Sequence, residues 1–397
     1  MRAAPVTATE RIVTLDILRG FALFGIFLVN MPTYLAPEFA RQMYGLPERL
    51  APLDEIVRLF FDMFVQTKFY TMFSFLFGLG FYIFMTRAEQ RGMNVSRLFS
   101  RRLIGLLLFG LLHLIFLWYG DILHAYAIMG FLLLLFYKRS NAAVLGWAIG
   151  LTVCYAFLLG TQLLVPAPLL LEEQAIGQQK LAEALWVYQH APYGQWLSYR
   201  WQEEVPYIVG NVPAMIVVLL PLFLVGLYTA RRGILHEPAK HRKLLTRVMW
   251  MTLLASVPLL TFIGLLQMEV LSYGPYQDTI RQLFVTASGL TLCFFYIASL
   301  TLLAQKPAWQ KRLRPLGSVG QMALTNYLMQ TILSLLIIEA FDLYNRIGLA
   351  AGFLLCLFIF ALQVLLSSWW LKRFRFGPFE WLWRTMTYGY VQPLKRE

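Results

Sequence analysis

Apolar residues run along this chain in long blocks separated by short polar segments. A helix crosses the hydrocarbon core of a bilayer in about 20 mainly apolar residues. Ten stretches meet that requirement: 13–35, 63–85, 103–119, 121–137, 142–165, 207–230, 248–270, 283–304, 321–340 and 349–371. The third and fourth are short and meet at Gly120 and Asp121, which reads as a tight hairpin. Before the second, Asp54, Glu55, Arg58, Asp62 and Lys68 punctuate apolar residues, as in an interfacial amphipathic helix leading into a span. The predicted class is therefore an all-α polytopic membrane protein of about ten transmembrane helices with interfacial amphipathic helices. Residues 1–397 read as a single membrane domain, with halves at about 13–165 and 207–397 joined by an outer loop at about 166–206.

Composition agrees with that pattern. Hydrophobic residues make up 59% of the chain and charged residues 14%, with mean hydropathy +0.60, whereas a soluble domain carries roughly a quarter charged residues. The formal charge of +13 sits in short clusters between apolar blocks, so membrane topology explains it and a nucleic-acid partner is not expected. With the N-terminus inside, 25 Lys and Arg fall on the cytoplasmic side and 7 on the other, leaving Arg19 and Lys68 near or within the membrane. That asymmetry predicts both termini in the cytoplasm. The polar start at 1–11 leads into a long first span containing Asp16 and Arg19, the form of an uncleaved signal anchor. Cys154, Cys293 and Cys356 lie inside apolar runs without ligand spacing, so they read as packing residues and no metal site is expected.

Three polar stretches are longer or richer than connectors require. Segment 36–62 contains prolines, and 166–206 has helical periodicity around Leu181, Leu185 and Trp186, fitting either a lid along the outer face or a plain loop. The tail KRFRFGPFEWLWRTMTYGY mixes basic and aromatic residues, which suits an interfacial helix at 378–388 that anchors the chain or helps bind or gate a donor.

An ionisable side chain inside the bilayer costs at least a few kcal/mol, so each needs a partner or a task. Asp16 and Arg19 share a face of the first helix, either as an ion pair or with Arg19 turned to the anionic group of a cytoplasmic ligand. His113 stands ten residues past Leu103, about 15 Å deep by helical rise, where an imidazole is suited either to general-base work or to a buried hydrogen bond. Asp121 and His124 would share a face at the outer mouth, with His113 about two turns below Asp121 on the third helix. Lys68 is expected to snorkel to the outer interface or, pointing inward, to stabilise an anion. Gly78 and Gly80 permit close helix approach. Asn30, Tyr126, Asn326 and Gln330 complete the polar set; the last two share a face that either bonds a neighbouring helix or lines a cavity. No P-loop, dinucleotide fingerprint, HExxH or GxSxG occurs.

Five ordered blocks carry a family resemblance: TLDILRGFALFGIFLVNM, KFYTMFSFLFGLGF, RRLIGLLLFGLLHLIFLWYGDILHAYAIMG, RPLGSVGQMALTNYLMQ and RFRFGPFEWLWR. Together they resemble the YeiB family of bacterial inner-membrane proteins, which implies that location. The opening LDxxRG pattern is similar, more distantly, to that of transmembrane acyltransferases, and Asp16, Arg19 and Gly20 carry it. Those enzymes move an acyl group from cytoplasmic acyl-CoA to an acceptor across the membrane and use an intramembrane histidine. No histidine precedes His113 here, so the position of theirs has no match.

The resemblance implies acyl transfer, with acyl-CoA as the donor and a small-molecule, glycan or lipid acceptor. Arg19, Arg101 and Arg102 would hold the donor phosphates, and His113, with Asp121 and His124, would activate the acceptor. Lys68 or Asn30 would stabilise the oxyanion. The rival readings are transport of a small amphipathic or anionic solute, with His113 and Asp121 as a proton relay, and a non-catalytic partner in an envelope complex. Membrane lipids are the expected surroundings, and an oligomer is compatible with all three.

Overall fold

The computed structural model describes residues 12–46, 48 and 50–396; the polar start of the expected signal anchor lies outside them. The chain is built from helices α1 (Val13–Leu35), α2 (Glu38–Tyr44), α3 (Pro52–Phe64), α4 (Lys68–Gln90), α5 (Val95–Phe116), α6 (Leu123–Leu134), α7 (Asn141–Thr161), α8 (Ala167–His190) and α9 (Tyr193–Tyr199). They are followed by α10 (Val205–Gly210), α11 (Met215–Arg231), α12 (Arg242–Gln267), α13 (Gln277–Ala304), α14 (Pro307–Gln321), α15 (Ala323–Ala340), α16 (Leu349–Arg373) and α17 (Pro378–Tyr388). Nine helical stretches among the described residues are long and apolar enough to cross a membrane. The chain is thus an all-α, multi-pass membrane protein.

The exception among the ten expected spans is the fourth. It is the 12-residue α6, about 18 Å long by helical rise and too short for a hydrocarbon core of about 30 Å. Its partner α5 starts eight residues before the expected boundary, because the Asn94 side chain accepts a hydrogen bond from Arg97 N at 3.0 Å and caps the helix. Ser140 caps α7 in the same way, accepting from Ala143 N at 3.2 Å. The amphipathic approach to the second span is its own helix, α3, which turns Leu53, Ile56, Phe60 and Phe64 outward. Before the expected ninth span lies an unforeseen helix, α14, which ends at Met322 where α15 begins.

Helix α1 is the centre of the molecule, with α4, α14, α15 and α16 packed around it. Its crossing with α14 depends on paired glycines: a Cβ on Gly20 would stand 2.0 Å from Leu316 O, and one on Gly320 would stand 1.9 Å from Asp16 O. Backbones at such distances tolerate only hydrogen on the facing Cα, the small-residue packing common between membrane helices. The glycine of LDxxRG is therefore a packing residue that brings the first and fourth blocks together. Gly78 makes the equivalent contact with Phe223 O of α11, whereas Gly80 meets no backbone and faces Arg19.

Outer elements reinforce the bundle. In the 166–206 segment, α8 lies on α2, with Gly177 against Tyr44. Segments expected to share a side of the membrane do touch: Arg231 donates to the Arg139, Phe136 and Tyr137 carbonyls, and Tyr276 donates to Val165 O on the other side. Cys293 and Cys356 are buried packing residues, but Cys154 is exposed on the outward face of α7 beside Val153 and Phe157, which corrects the expectation that all three pack inside.

Candidate functional site

The His113 region begins with a helix end. Helix α5 stops at Phe116, and the Leu117 and Trp118 amides both donate to His113 O, so the chain reverses at once. Gly110 makes the reversal possible, since a Cβ there would sit 2.3 Å from His124 N. The returning strand of chain lays Asp121 against His113, with Asp121 Oδ1 2.9 Å from His113 Nδ1. The other carboxylate oxygen accepts from the His124 amide at 2.9 Å and lies 2.9 Å from His124 Nδ1, in the manner of a helix cap for α6. On its far side, His113 Nε2 is 2.9 Å from Thr331 Oγ1 of α15, which in turn is 2.9 Å from the Tyr34 hydroxyl of α1. Asn30 lies beside that hydroxyl.

Every member of this chain from His124 to Tyr34 is buried. The sequence grouped His113, Asp121 and His124 correctly but placed them differently. His113 stands three residues from the end of α5, not midway along a span starting at Leu103, because Asn94 starts the helix earlier. Asp121 folds back beside His113 instead of extending the same helix two turns further. The hairpin tip is also no exposed mouth: Trp118 and Asp121 are buried, and Tyr193 of α9 donates to Phe116 O.

A cavity of about 310 Å³ has Tyr327, whose ring centroid is 5.2 Å from that of His113, in its lining. Five arginines line it, Arg19, Arg87, Arg91, Arg102 and Arg384, against the two carboxylates of Asp16 and Glu380. The rest of the lining is largely apolar and aromatic, including Leu23, Phe73, Phe77, Leu106, Ile122, Leu123, Tyr126 and Tyr327. Asp16 and Arg19 form the expected ion pair at 3.0 Å, and both line this space. Tyr126 is fixed by Ser74, 2.7 Å from its hydroxyl.

Helix α17 closes one wall. Arg102 stacks 3.6 Å above the Trp383 ring while Trp383 Nε1 donates to Arg102 O at 2.7 Å. Glu380 holds the start of α15, accepting from Leu324 N, Thr325 N and Thr325 Oγ1 at 2.6 to 3.0 Å. Burial pushes the Glu380 carboxyl above its ordinary value even though these donors pull the other way. The tail helix at 378–388 is thus where the sequence placed it, and it forms part of the cavity wall.

Several expected site residues lie elsewhere. Arg101 is exposed and outside the cavity lining. Lys68 does not snorkel: it is fully buried, and its ammonium donates to Asp62 O and Ser288 Oγ, both at 2.8 Å, because α3 and α13 close over it. Asn326 and Gln330 lie outside that cavity's lining; Asn326 bonds Ser367 at 2.9 Å and Gln330 bonds Gln363 at 3.1 Å, tying α15 to α16. Thr331, Tyr34, Tyr327, Arg87, Arg91, Trp383 and Arg384 were not singled out. For Thr331 no signal existed, since a threonine in an apolar helix ordinarily bonds its own backbone. For Trp383 and Arg384 the basic-aromatic tail was a signal.

Comparison with known proteins gives kinship without an activity. A family profile described as "Protein of unknown function (DUF418)" matches residues 229–390. The chain is 34% identical to an uncharacterized protein, YxaH, of Bacillus subtilis, covering 99% of this chain and 98% of that one. It is also 34% identical, over 99% of both, to an uncharacterized 39.9 kDa protein encoded 3′ of an amylase gene in Bacillus acidopullulyticus. Identity to the uncharacterized protein YeiB of Escherichia coli is 25%, over 95% of this chain and 96% of that one. No solved structure matches.

Proposed function

The chain belongs to the YeiB (DUF418) family of membrane proteins, and on that premise we propose that it is an inner-membrane acyltransferase, taking its acyl group from cytoplasmic acyl-CoA and passing it to an extracytoplasmic or lipid acceptor. The cavity is the observation that carries this reading. Guanidinium groups suit the phosphates of a CoA because they offer paired donors in a fixed fork. Arg19, Arg87, Arg91, Arg102 and Arg384 supply five of them beside an apolar interior that suits an acyl chain. His113, held by Asp121 and packed against the cavity-lining Tyr327, supplies the base that transfer needs. Of the arginines expected from the sequence to hold the donor, Arg19 and Arg102 line the cavity and Arg101 does not.

Binding of radiolabelled long-chain acyl-CoA to the purified, detergent-solubilised protein tests the reading. We expect saturable binding that weakens with salt. Arg102→Ala and Arg384→Ala should each weaken it about tenfold, the effect of losing one charge-assisted hydrogen bond of about 1.5 kcal/mol. Binding that neither substitution alters would sink the proposal, as would pH-gradient-driven solute uptake by the protein in liposomes with no affinity for acyl-CoA.

A further inference from the structure

The His113 cluster contains a hydroxyl that the proposed function leaves without a role. An ionised carboxylate only accepts hydrogen bonds. Asp121 therefore fixes the proton of His113 on Nδ1, 2.9 Å from its Oδ1. In the neutral imidazole Nε2 then keeps its lone pair, and the only hydrogen available for the 2.9 Å contact to Thr331 is that of the Thr331 hydroxyl. The Thr331 oxygen in turn accepts from Tyr34 at 2.9 Å. Carboxylate, imidazole and hydroxyl thus stand in the order and at the spacing of an activated nucleophile: a base within reach of the hydroxyl, oriented by a third group.

We propose that Thr331 is the acyl-accepting nucleophile of this protein; the proposal rests on the acyl-transfer reading above and makes that transfer a two-step reaction. In the first step Thr331 Oγ1 attacks the thioester carbonyl and its proton passes to His113 Nε2. The carbon–sulfur bond breaks, the CoA thiolate takes the proton from His113, and an oxyester remains on Thr331. In the second step an acceptor hydroxyl or amine attacks that ester and gives its proton to His113. The ester carbon–oxygen bond breaks, and the proton returns to Thr331. Tyr34, hydrogen-bonded to the Thr331 oxygen and flanked by Asn30, is the neighbouring donor that would turn to the oxyanion in this scheme.

Proximity to the cavity supports the assignment. Tyr327 lines the cavity, its ring centroid is 5.2 Å from that of His113, and Thr331 is one turn along the same face of α15. Ile122 and Leu123, adjoining Asp121 in the chain, line the cavity as well. Tyr327 therefore touches both the donor space and the imidazole, and the proposed attack requires its side chain to turn so that the thioester carbonyl reaches Thr331.

The test uses two electrophiles on the detergent-solubilised full chain: a long-chain acyl-CoA, and a lipophilic β-lactone whose ring opening acylates a nucleophilic hydroxyl without CoA. After acid quench, intact mass and peptide mapping should place one alkali-labile acyl group on Thr331. Thr331→Val, which keeps the side-chain shape, should abolish labelling and lower transfer at least about 100-fold, with its fold verified by size-exclusion profile and melting temperature. Thr331→Ser should restore labelling. Labelling of Thr331 by the lactone but not by acyl-CoA supports the nucleophile while overturning the donor. Label on another residue, no label from either reagent, or transfer by Thr331→Val within about twofold of the parent would overturn the proposal.

Discussion

The arginine-lined cavity and the cluster around His113 both adjoin Tyr327, and they manage polarity in opposite ways. The cluster closes on itself: one carboxylate serves two imidazoles and a backbone amide, and the chain of bonds ends on Thr331 and Tyr34. Buried polar groups are tolerable when satisfied in that manner. The cavity gathers five guanidinium groups against two carboxylates, and like charge in a cleft attracts a counter-charge from outside. One region therefore has the chemistry and the other has the access. On the acyl-transfer reading proposed above, this arrangement would separate capture of the anionic, acyl-bearing ligand from the step performed on it.

That separation breaks most sharply at Asp121. Asp121→Asn keeps the size of the side chain but presents an amide able to donate to His113, so the imidazole loses its enforced tautomer. Acyl transfer should fall about 1,000-fold or more, as expected when an oriented base is lost. Binding of acyl-CoA in the cavity should stay within about twofold, since Asp121 does not line it. Equal loss of binding and transfer, measured by ligand binding and single-turnover rates, would show the two regions to be one site.

Gly110 sharpens the comparison at the level of packing. Gly110→Ala places a methyl 2.3 Å from His124 N and 2.9 Å from Asp121 Oδ2, so α6 must move away from α5. Overpacking of this kind costs about 1–3 kcal/mol, readable as a lowered melting temperature in detergent. Transfer should fall with it while acyl-CoA affinity stays near that of the parent. An unchanged melting temperature would mean that the hairpin yields freely, and the His113 geometry would then not be fixed by this contact.

The fold was legible where hydropathy carries it and obscure where capping and reversal do. Apolar length found the long helices, but Asn94 moved the start of α5 and thereby moved His113 from mid-helix to the helix end. The pairing of Asp121 with His113 is a tertiary consequence of the reversal at 117–122, which helical periodicity cannot express. Lys68 shows the limit from another direction: snorkelling is a rule for lysines facing lipid, and α13 covers this one through Ser288. The cavity was half visible. Arg19 and the tail helix were marked by their positions, whereas Arg87 and Arg91 reach it from the end of α4, in a segment that read only as a topogenic cluster. Thr331 depends entirely on which face of α15 meets His113, and a threonine in an apolar run does not announce that.

The smallest expected effect concerns Glu380, the carboxylate by which α17 grips α15. Burial raises its folded-state value above the ordinary one, so the folded protein binds the proton more firmly than the unfolded chain. The stabilisation from that proton is fully present below the ordinary carboxylate range, and it is lost as pH rises through the raised folded value. Glu380→Gln removes the titration but keeps an oxygen for the Leu324 and Thr325 amides and a nitrogen that can donate to Thr325 Oγ1. The melting temperature of Glu380→Gln relative to the parent should therefore improve as pH rises from the ordinary carboxylate range through the raised folded value. A difference that stays flat, or turns against the glutamine variant as pH rises, would mean that the three donors outweigh burial and that Glu380 is held as an anion. The cavity wall would then carry a fixed negative charge opposite its arginines, and the contrast between a self-contained cluster and an anion-seeking cavity would weaken by that one charge.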